Sequence, residues 1–251
     1  MKIIKYKKMS KGRYKITFDT SDVILYEDVI IKNNLLLLKD IDLETLEKVL
    51  KENREYEAYD LSLSYIEIKL RTEKEIRDYL EKKGFDSFLI DETINKLRKD
   101  NLINEKLYTE AFVNDKVNLT TWGPFKIKRA LLDLGIGDEI VDDYLYKINT
   151  NIFKDKLNKI VNKKMISMKN KSLYMIKNKL NNDLFDLGYD KDMISEILSK
   201  LEKDDSESMK KEASKAYDKY SKKYSGKELE MKIKSHLYAK GFKVDALDFM
   251  E

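Results

Sequence analysis

Residues 76–85, with the sequence IRDYLEKKGF, carry a spacing that recurs three more times along the chain. In each copy an aliphatic residue is followed four residues later by leucine, four residues after that by glycine, and then directly by another apolar residue. The four glycines are Gly84, Gly135, Gly188 and Gly241. A helix that ends on a left-handed glycine, followed by an apolar residue that folds back, is typical of this pattern. The spacing therefore predicts four tandem helical repeats of about 50 residues each.

The starts of these helices are also marked in the sequence. Thr72-x-x-Glu75 and Ser225-x-x-Glu228 have the form of capping boxes, and Gly123-Pro124 places proline at a first helical position. One more helical segment precedes and another follows each glycine-anchored helix, so each repeat is predicted to contain three helices. The last copy reaches Leu247 shortly before Glu251, and its third helix is expected to be truncated.

The first 56 residues have a different period. Tyr14, Ile16 and Phe18 alternate with polar residues, which indicates a strand, and short apolar runs at residues 3–4 and 23–26 indicate two more. Asp42 is predicted to cap a helix that extends to about Arg54. This segment is expected to form a small β-meander followed by a helix.

The expected fold class is therefore mainly α: tandem three-helix repeats in an elongated, curved array, preceded by a small β-meander plus helix. The predicted domains are a β-containing domain at 1–56, repeat 1 at 57–103, repeat 2 at 104–150, repeat 3 at 151–203 and a truncated repeat 4 at 204–251.

Composition excludes several functional classes. The chain has no cysteine and only one histidine, His236, so thiol chemistry, disulfides and multi-histidine metal sites are excluded. No apolar run approaches the roughly 20 residues of a membrane-spanning helix. The acid pairs Asp142-Asp143 and Asp204-Asp205 lack a surrounding catalytic constellation. We expect a cytoplasmic non-enzyme with no catalytic residues, no metal site, no cofactor and no membrane contact.

The basic residues are concentrated in one stretch. The net charge is only +4, yet residues 154–179 contain nine lysines and a single acid, Asp155. An uncompensated positive field attracts polyanions, although a solvated helix face is the simpler interpretation. The candidates for binding DNA or a DNA-lined filament groove are Lys163, Lys164, Lys169, Lys171, Lys177 and Lys179. Trp122, next to Gly123-Pro124, is either an exposed anchor for a partner or an aromatic residue packed on the first turn of its own helix.

Two stretches resemble a known family. Residues 70–85 are similar to the first repeat of the RecX regulatory proteins, bacterial modulators of the RecA recombinase, and residues 104–136 are similar to the second repeat. The resemblance is strongest over residues 57–148, and the N-terminal β segment with extra repeats resembles the longer members. The family usually has an acidic pair where Asn104-Glu105 stands and an arginine where Lys116 stands. The motif positions are Arg71, Gly84, Lys116, Gly123, Pro124 and Gly135.

The resemblance, and not the spacing, implies the partner. It implies a regulator that binds RecA and the RecA–single-stranded DNA filament and modulates, by inhibition, filament extension, ATPase and strand exchange in recombination and DNA repair. A direct DNA contact is compatible with this function, and we expect a monomer because no heptad seam is present. The alternatives are a helical repeat protein that binds nucleic acid without RecA, and a scaffold for another protein client.

Overall fold

The computed structural model describes residues 1–244, which belong to two compact units. The first unit contains Met1–Tyr108 and Leu134–Ile136, and the second contains Thr109–Asp133 and the chain from Gly137 onward. The expected third helix of repeat 4, including Leu247, lies outside the described residues.

A three-stranded antiparallel sheet in the order β1-β2-β3 opens the first unit, with β1 at Ile3–Lys8, β2 at Arg13–Phe18 and β3 at Asp22–Tyr26. Lys11 and Gly12, between β1 and β2, both have positive φ, which matches the twist of a tight hairpin. Ile16 and Phe18 of β2 are buried. The predicted β-meander is confirmed.

Two helices close this sheet. Helix α1 (Glu27–Lys32) is followed by a 3-10 turn at Leu35–Leu37, and α2 (Leu43–Ile68) begins after Asp42, whose carboxylate accepts a hydrogen bond from the amide of Thr45 at 2.7 Å. The predicted helix end near Arg54 is wrong, because no glycine or proline interrupts residues 43–68. Val49 packs in the sheet core and Ala58 in the core of the first repeat, so one helix serves two clusters.

The second half of α2, with α3 (Glu73–Lys82) and α4 (Ser87–Lys99), forms the first three-helix repeat. Its core contains the residues at the predicted spacing, among them Ile76, Leu80, Phe85 and Ile90. Thr72 and Glu75 form the predicted capping box.

The remaining helices belong to the second unit, apart from the first residues of α5. They are α5 (Glu105–Leu119), α6 (Pro124–Asp133), α7 (Asp138–Tyr146), α8 (Thr150–Ser167), α9 (Leu173–Asp186), α10 (Lys191–Ser199), α11 (Ser206–Tyr220) and α12 (Gly226–Ala239). Proline starts α6 as predicted. The tandem three-helix organisation is confirmed for α5–α7 and α8–α10, and α11–α12 supply the first two helices of the fourth repeat.

The four anchor glycines have the predicted left-handed backbone. Their φ angles are 80° at Gly84, 84° at Gly135, 83° at Gly188 and 75° at Gly241. The second predicted capping box is wrong: the side chain of Ser225 makes no cap hydrogen bond. Gly226 has φ of +54°, so the backbone enters α12 in a conformation that differs from a regular helix start.

None of the helices within residues 1–244 combines the length and the apolar character that crossing a membrane requires.

Candidate functional site

The second and third repeats meet through backbone groups of two glycines. The amide of Gly123 donates to the carbonyl of Leu187 at 2.7 Å, and the amide of Phe125 donates to the carbonyl of Gly188 at 3.0 Å. The two donor amides lie at the start of α6, where a helix leaves its amides without intrahelical partners. The two acceptor carbonyls directly follow the end of α9. We call this contact the glycine junction.

The glycine junction leaves no room for a side chain on either backbone segment. A Cβ on Gly123 would lie 2.5 Å from the carbonyl oxygen of Gly188, and a Cβ on Gly188 would overlap the backbone nitrogen of Lys126. A related contact joins the third and fourth repeats, where the hydroxyl of Ser172 donates to the carbonyl of Lys240 at 2.6 Å. The sequence marked the helix starts and ends but did not predict that they contact each other.

Tyr189, directly after Gly188, is 1% exposed, and its hydroxyl donates to the carbonyl of Thr121 at 3.2 Å. Burial raises its pKa to about 12. A tyrosine in the unfolded chain has a pKa near 10, so between about pH 10 and 12 the unfolded chain loses this proton while the folded chain keeps it. Stability is therefore lost as pH rises through this window.

We expect Tyr189→Phe to reduce this alkaline loss of stability. The decrease in unfolding free energy between about pH 10 and 12 should shrink by up to roughly 2–3 kcal/mol, measured by urea unfolding at each pH. Tyr146→Phe is the control, since Tyr146 is 92% exposed and should leave the decrease unchanged. Identical alkaline profiles for Tyr189→Phe and the parent chain would contradict the assignment.

Arg71, a motif position of the first repeat, joins the end of α2 to the start of α3. Its side chain is 11% exposed, its guanidinium lies 3.7 Å from the centre of the Tyr65 ring, and it donates to the Tyr65 carbonyl at 3.2 Å and to the Glu75 carboxylate at 3.3 Å. These contacts use the planar fork of arginine, which lysine lacks. Arg71 is therefore held as part of the fold.

We expect Arg71→Lys to lower the unfolding free energy by about 1–2 kcal/mol in chemical denaturation, because the stacking and one donated hydrogen bond are lost. Arg77→Lys is the matched control, since the Arg77–Asp91 ion pair is exposed and should contribute less than about 0.5 kcal/mol. Equal effects at the two positions would show that the stacked geometry at Arg71 adds nothing.

The first anchor glycine meets an arginine that sequence reasoning missed. Arg54 of α2 donates to the carbonyl of Gly84 at 2.9 Å, and its guanidinium lies 3.9 Å from the centre of the Phe85 ring. Gly135 instead lies against Lys74, whose Cβ would be 3.1 Å from a Cβ on the glycine. The motif glycines thus contact other repeats or α2 and are not simple chain turns.

Trp122 lies half-buried just before α6, between two ammonium groups. The Nζ atom of Lys116 is 4.9 Å from the Trp122 ring and 4.9 Å from the Phe112 ring, and Lys126 Nζ is 5.1 Å from Trp122. Because Lys126 belongs to the first turn of α6, Trp122 is tied to the start of its own helix. Its ring also lines an open groove, and a role as an anchor for a partner stays a prediction.

The six candidate lysines differ in their ion pairing. Lys164 and Lys179 each contact the carboxylate of Asp183 at 2.6 Å. Burial of Asp183 acts to raise its pKa, but the hydrogen bonds from the two lysines outweigh it, and the pKa is lowered. The sequence expectation that neutralising acids are missing is wrong for these two lysines, because Asp183 follows the lysine-rich stretch and lies one helical turn beyond Lys179.

The other four candidates form no such ion pair. Within residues 1–244 no ion pair is formed by the four residues that we call the unpaired lysines: Lys163, Lys169, Lys171 and Lys177. They lie near the end of α8, in the following connection and in the second turn of α9, so a single helical hairpin carries all four. Lys163, Lys169 and Lys171 are exposed, and Lys177 is half-buried. This hairpin is the described site that best suits a polyanion.

Other lysines of the same stretch have structural partners. Lys156 donates to the carbonyl of Thr120 at 2.8 Å, and burial lowers its pKa. Lys154 pairs with Glu196 at 3.4 Å. Counting lysines in the sequence therefore overstated the charge available to a ligand.

The acidic pairs and the histidine also have local partners. Asp142 contacts Lys128 at 2.6 Å, Asp143 contacts Lys147 at 2.7 Å, and His236 Nε2 lies 3.1 Å from Glu212. In the part of the chain that the structure describes, no three histidine, cysteine or acidic side chains are grouped as a metal site requires.

Comparison with known proteins agrees with the repeat geometry. The family model described as RecX, first three-helix domain, matches residues 58–97, and RecX, second three-helix domain, matches residues 104–145. The chain is 33% identical over 255 residues to the regulatory protein RecX of Bacillus mycoides, covering 98% of this chain and 94% of that protein. It is 33% identical to the regulatory protein RecX of Streptococcus agalactiae, covering 98% and 96%.

Solved structures show the same fold. The crystal structure of RecX from Lactobacillus salivarius has a TM-score of 0.55 and 31% identity, covering 59% of this chain and 96% of that chain. A crystal structure of a regulatory protein RecX has a TM-score of 0.65 at 23% identity, covering 80% and 100%. With two repeat models matched and one-third identity over nearly its whole length, the chain belongs to the RecX family of regulatory proteins.

Proposed function

We propose that this protein binds RecA and the RecA–single-stranded DNA filament in the cytoplasm and inhibits filament extension, ATP hydrolysis and strand exchange. The observation that carries the proposal is membership of the RecX family over nearly the full chain. The protein acts as a monomer by occupying the filament and performs no chemistry itself. The division into 1–56, 57–103, 104–150, 151–203 and 204–251 is part of this proposal, with each repeat as a separate contact unit.

The unpaired lysines support a role for DNA in this complex. Four ammonium groups on one hairpin that form no ion pair within residues 1–244 favour contact with phosphates. Lys164 and Lys179 contribute less, because Asp183 already neutralises much of their charge. In this proposal the α8–α9 hairpin faces the DNA of the filament, and other surfaces contact the RecA protein.

The experiment compares three ligands at low and moderate salt: RecA filaments on single-stranded DNA with a non-hydrolysable nucleotide, the naked DNA, and RecA alone. We expect tight filament binding and weaker, salt-sensitive binding to bare DNA. A titration of the DNA-dependent ATPase of RecA should show inhibition. No filament binding and no change in ATPase activity at excess protein would exclude the proposed function.

A second candidate is nucleic-acid binding without RecA, and the unpaired lysines are the observation that favours it. Equal affinity for the filament and for naked DNA would support this alternative. If the four lysines all met phosphates, the logarithm of the binding constant would fall with the logarithm of salt concentration at a slope near −3 for single strands, from about 0.7 per contact. A slope near zero would exclude it.

A further inference from the structure

The second unit carries an aromatic groove beside the glycine junction. The groove has a volume of about 770 Å³, and the residues that define it here are Trp122, Phe125, Arg129, Phe185 and Tyr189. Phe125 and Arg129 are one helical turn apart on α6, so their side chains share a face. Phe185 lies near the end of α9, on the other side of the groove.

The two phenylalanines are not part of the repeat core. Phe125 is 59% exposed and Phe185 is 57% exposed, whereas the neighbouring core residues Ile127 and Leu184 are fully buried. Because both aromatic rings are largely exposed, the fold gains little hydrophobic stabilisation from them. Such an exposed apolar site, when it is concave and bordered by polar groups, is typical of an interaction surface.

The same arrangement recurs at the next repeat contact. Tyr174 follows Ser172 by two residues, as Phe125 follows Gly123, and Tyr238 precedes Gly241 by three residues, as Phe185 precedes Gly188. Tyr174 and Tyr238 are 61% and 78% exposed. Exposed aromatic pairs therefore occupy equivalent places at two successive contacts between repeats.

The charges around the aromatic groove favour a protein over a nucleic acid. Asp133 and Asp186 lie at its edge together with Lys126 and Arg129, so acids balance the bases there. Lys126 Nζ is already engaged by the Trp122 ring and, at 3.4 Å, by the carbonyl of Asp186. Because the two acids offset the two bases, the groove has no net positive charge to attract a chain of phosphates, whereas aromatic residues and arginine are the residue types enriched at protein interfaces.

Arg129 indicates that the group bound in the groove should carry a negative charge. It is exposed, and it forms no ion pair with any of the residues 1–244. An acidic group placed next to an apolar side chain would meet both the guanidinium and the rings of Phe125 and Phe185.

We propose that the aromatic groove binds an apolar side chain of a protein segment, with a neighbouring carboxylate of that segment paired to Arg129. This inference rests on the proposed function and deepens it: the segment belongs to the protein part of the filament, and the groove is a protein anchor separate from the unpaired lysines. Because exposed aromatic pairs recur at Tyr174 and Tyr238, this surface suits a partner that presents equivalent apolar side chains from successive subunits.

The test is the double variant Phe125→Ala/Phe185→Ala of the full chain, with Tyr146→Ala as the control for loss of an exposed aromatic ring. Binding is measured to RecA filaments on single-stranded DNA and to the same DNA without RecA. We expect filament affinity to fall at least tenfold for the double variant while affinity for naked DNA stays within twofold. The control should match the parent chain for both ligands.

A second variant, Arg129→Ala, tests the charged half of the site without changing an aromatic ring. If thermal melting shows that the double variant is destabilised, the result for Arg129→Ala decides the test. It should lower filament affinity by threefold or more and leave DNA affinity unchanged. Unchanged filament affinity in both variants, with the parent chain binding the filament, would overturn the groove proposal alone. A parallel loss for naked DNA would assign the groove to nucleic acid and overturn it as well. Failure of the parent chain to bind the filament would overturn both the proposed function and this inference.

Discussion

Replacing Gly188 with alanine should lower the unfolding free energy by about 2–4 kcal/mol. Two penalties combine at this residue: a φ of +83°, which costs an alanine about 1 kcal/mol, and overlap of the new Cβ with the backbone of Lys126. A backbone clash cannot be relieved by rotating a side chain, so the helix start must shift, which costs a further 1–3 kcal/mol or so. Urea unfolding followed by circular dichroism measures the change.

Two other glycines separate the two penalties. Gly84 has a φ of +80°, and a Cβ added there would meet nothing within 4 Å, so Gly84→Ala should cost only about 1 kcal/mol. Gly123 has no positive φ but would place its Cβ 2.5 Å from the carbonyl oxygen of Gly188, so Gly123→Ala tests the clash alone. If Gly84→Ala and Gly188→Ala proved equally destabilising, the backbone approach at the glycine junction would have no energetic importance.

Changing the four unpaired lysines to glutamine should weaken binding to single-stranded DNA at least tenfold near 0.1 M salt. Each phosphate contact contributes about 0.7 to the salt slope for single strands, so loss of four contacts should reduce the slope by up to about 3. The residues are exposed or half-buried and pair with no acid in residues 1–244, so the melting temperature should change little. Fluorescence anisotropy over a series of salt concentrations gives both the affinity and the slope.

The matched control is Lys164→Gln/Lys179→Gln, which removes two positive charges from the same hairpin. Because Asp183 contacts both lysines, the control should change the salt slope by less than 1. It should also leave Asp183 without its partners and lower stability modestly. An equal loss of DNA affinity per charge in the two variants would show that net charge alone, and not ion pairing, determines which lysines bind.

Much of the fold could be predicted because its signals are local. Two aliphatic residues four positions apart, followed by glycine after four more positions, indicate a helix end whatever surrounds them. Each of the four glycines in this pattern has the expected positive φ. The strand alternation around Ile16 is equally local. The helix end near Arg54 was mispredicted for the opposite reason: the apolar pattern changes there because α2 passes from one core to another, while the backbone continues.

The candidate site was harder to predict from the sequence, because its properties depend on residues that are distant in sequence. A list of lysines shows which charges exist but not that Asp183 reaches across to Lys164 from the next helix. Phe125 and Phe185 each look like one more apolar residue of an amphipathic helix, and only packing shows that their rings face solvent.

By itself, then, the sequence determined the four helix-ending glycines, the core positions and the family resemblance, since periodicity and backbone preference act over a few residues. The tertiary structure decided which glycines contact each other, which lysines form ion pairs and where aromatic rings remain exposed. Those features follow from contacts between segments about 20 to 70 residues apart, such as Gly123 with Gly188, and a one-dimensional pattern carries no information on which of its elements will pack together.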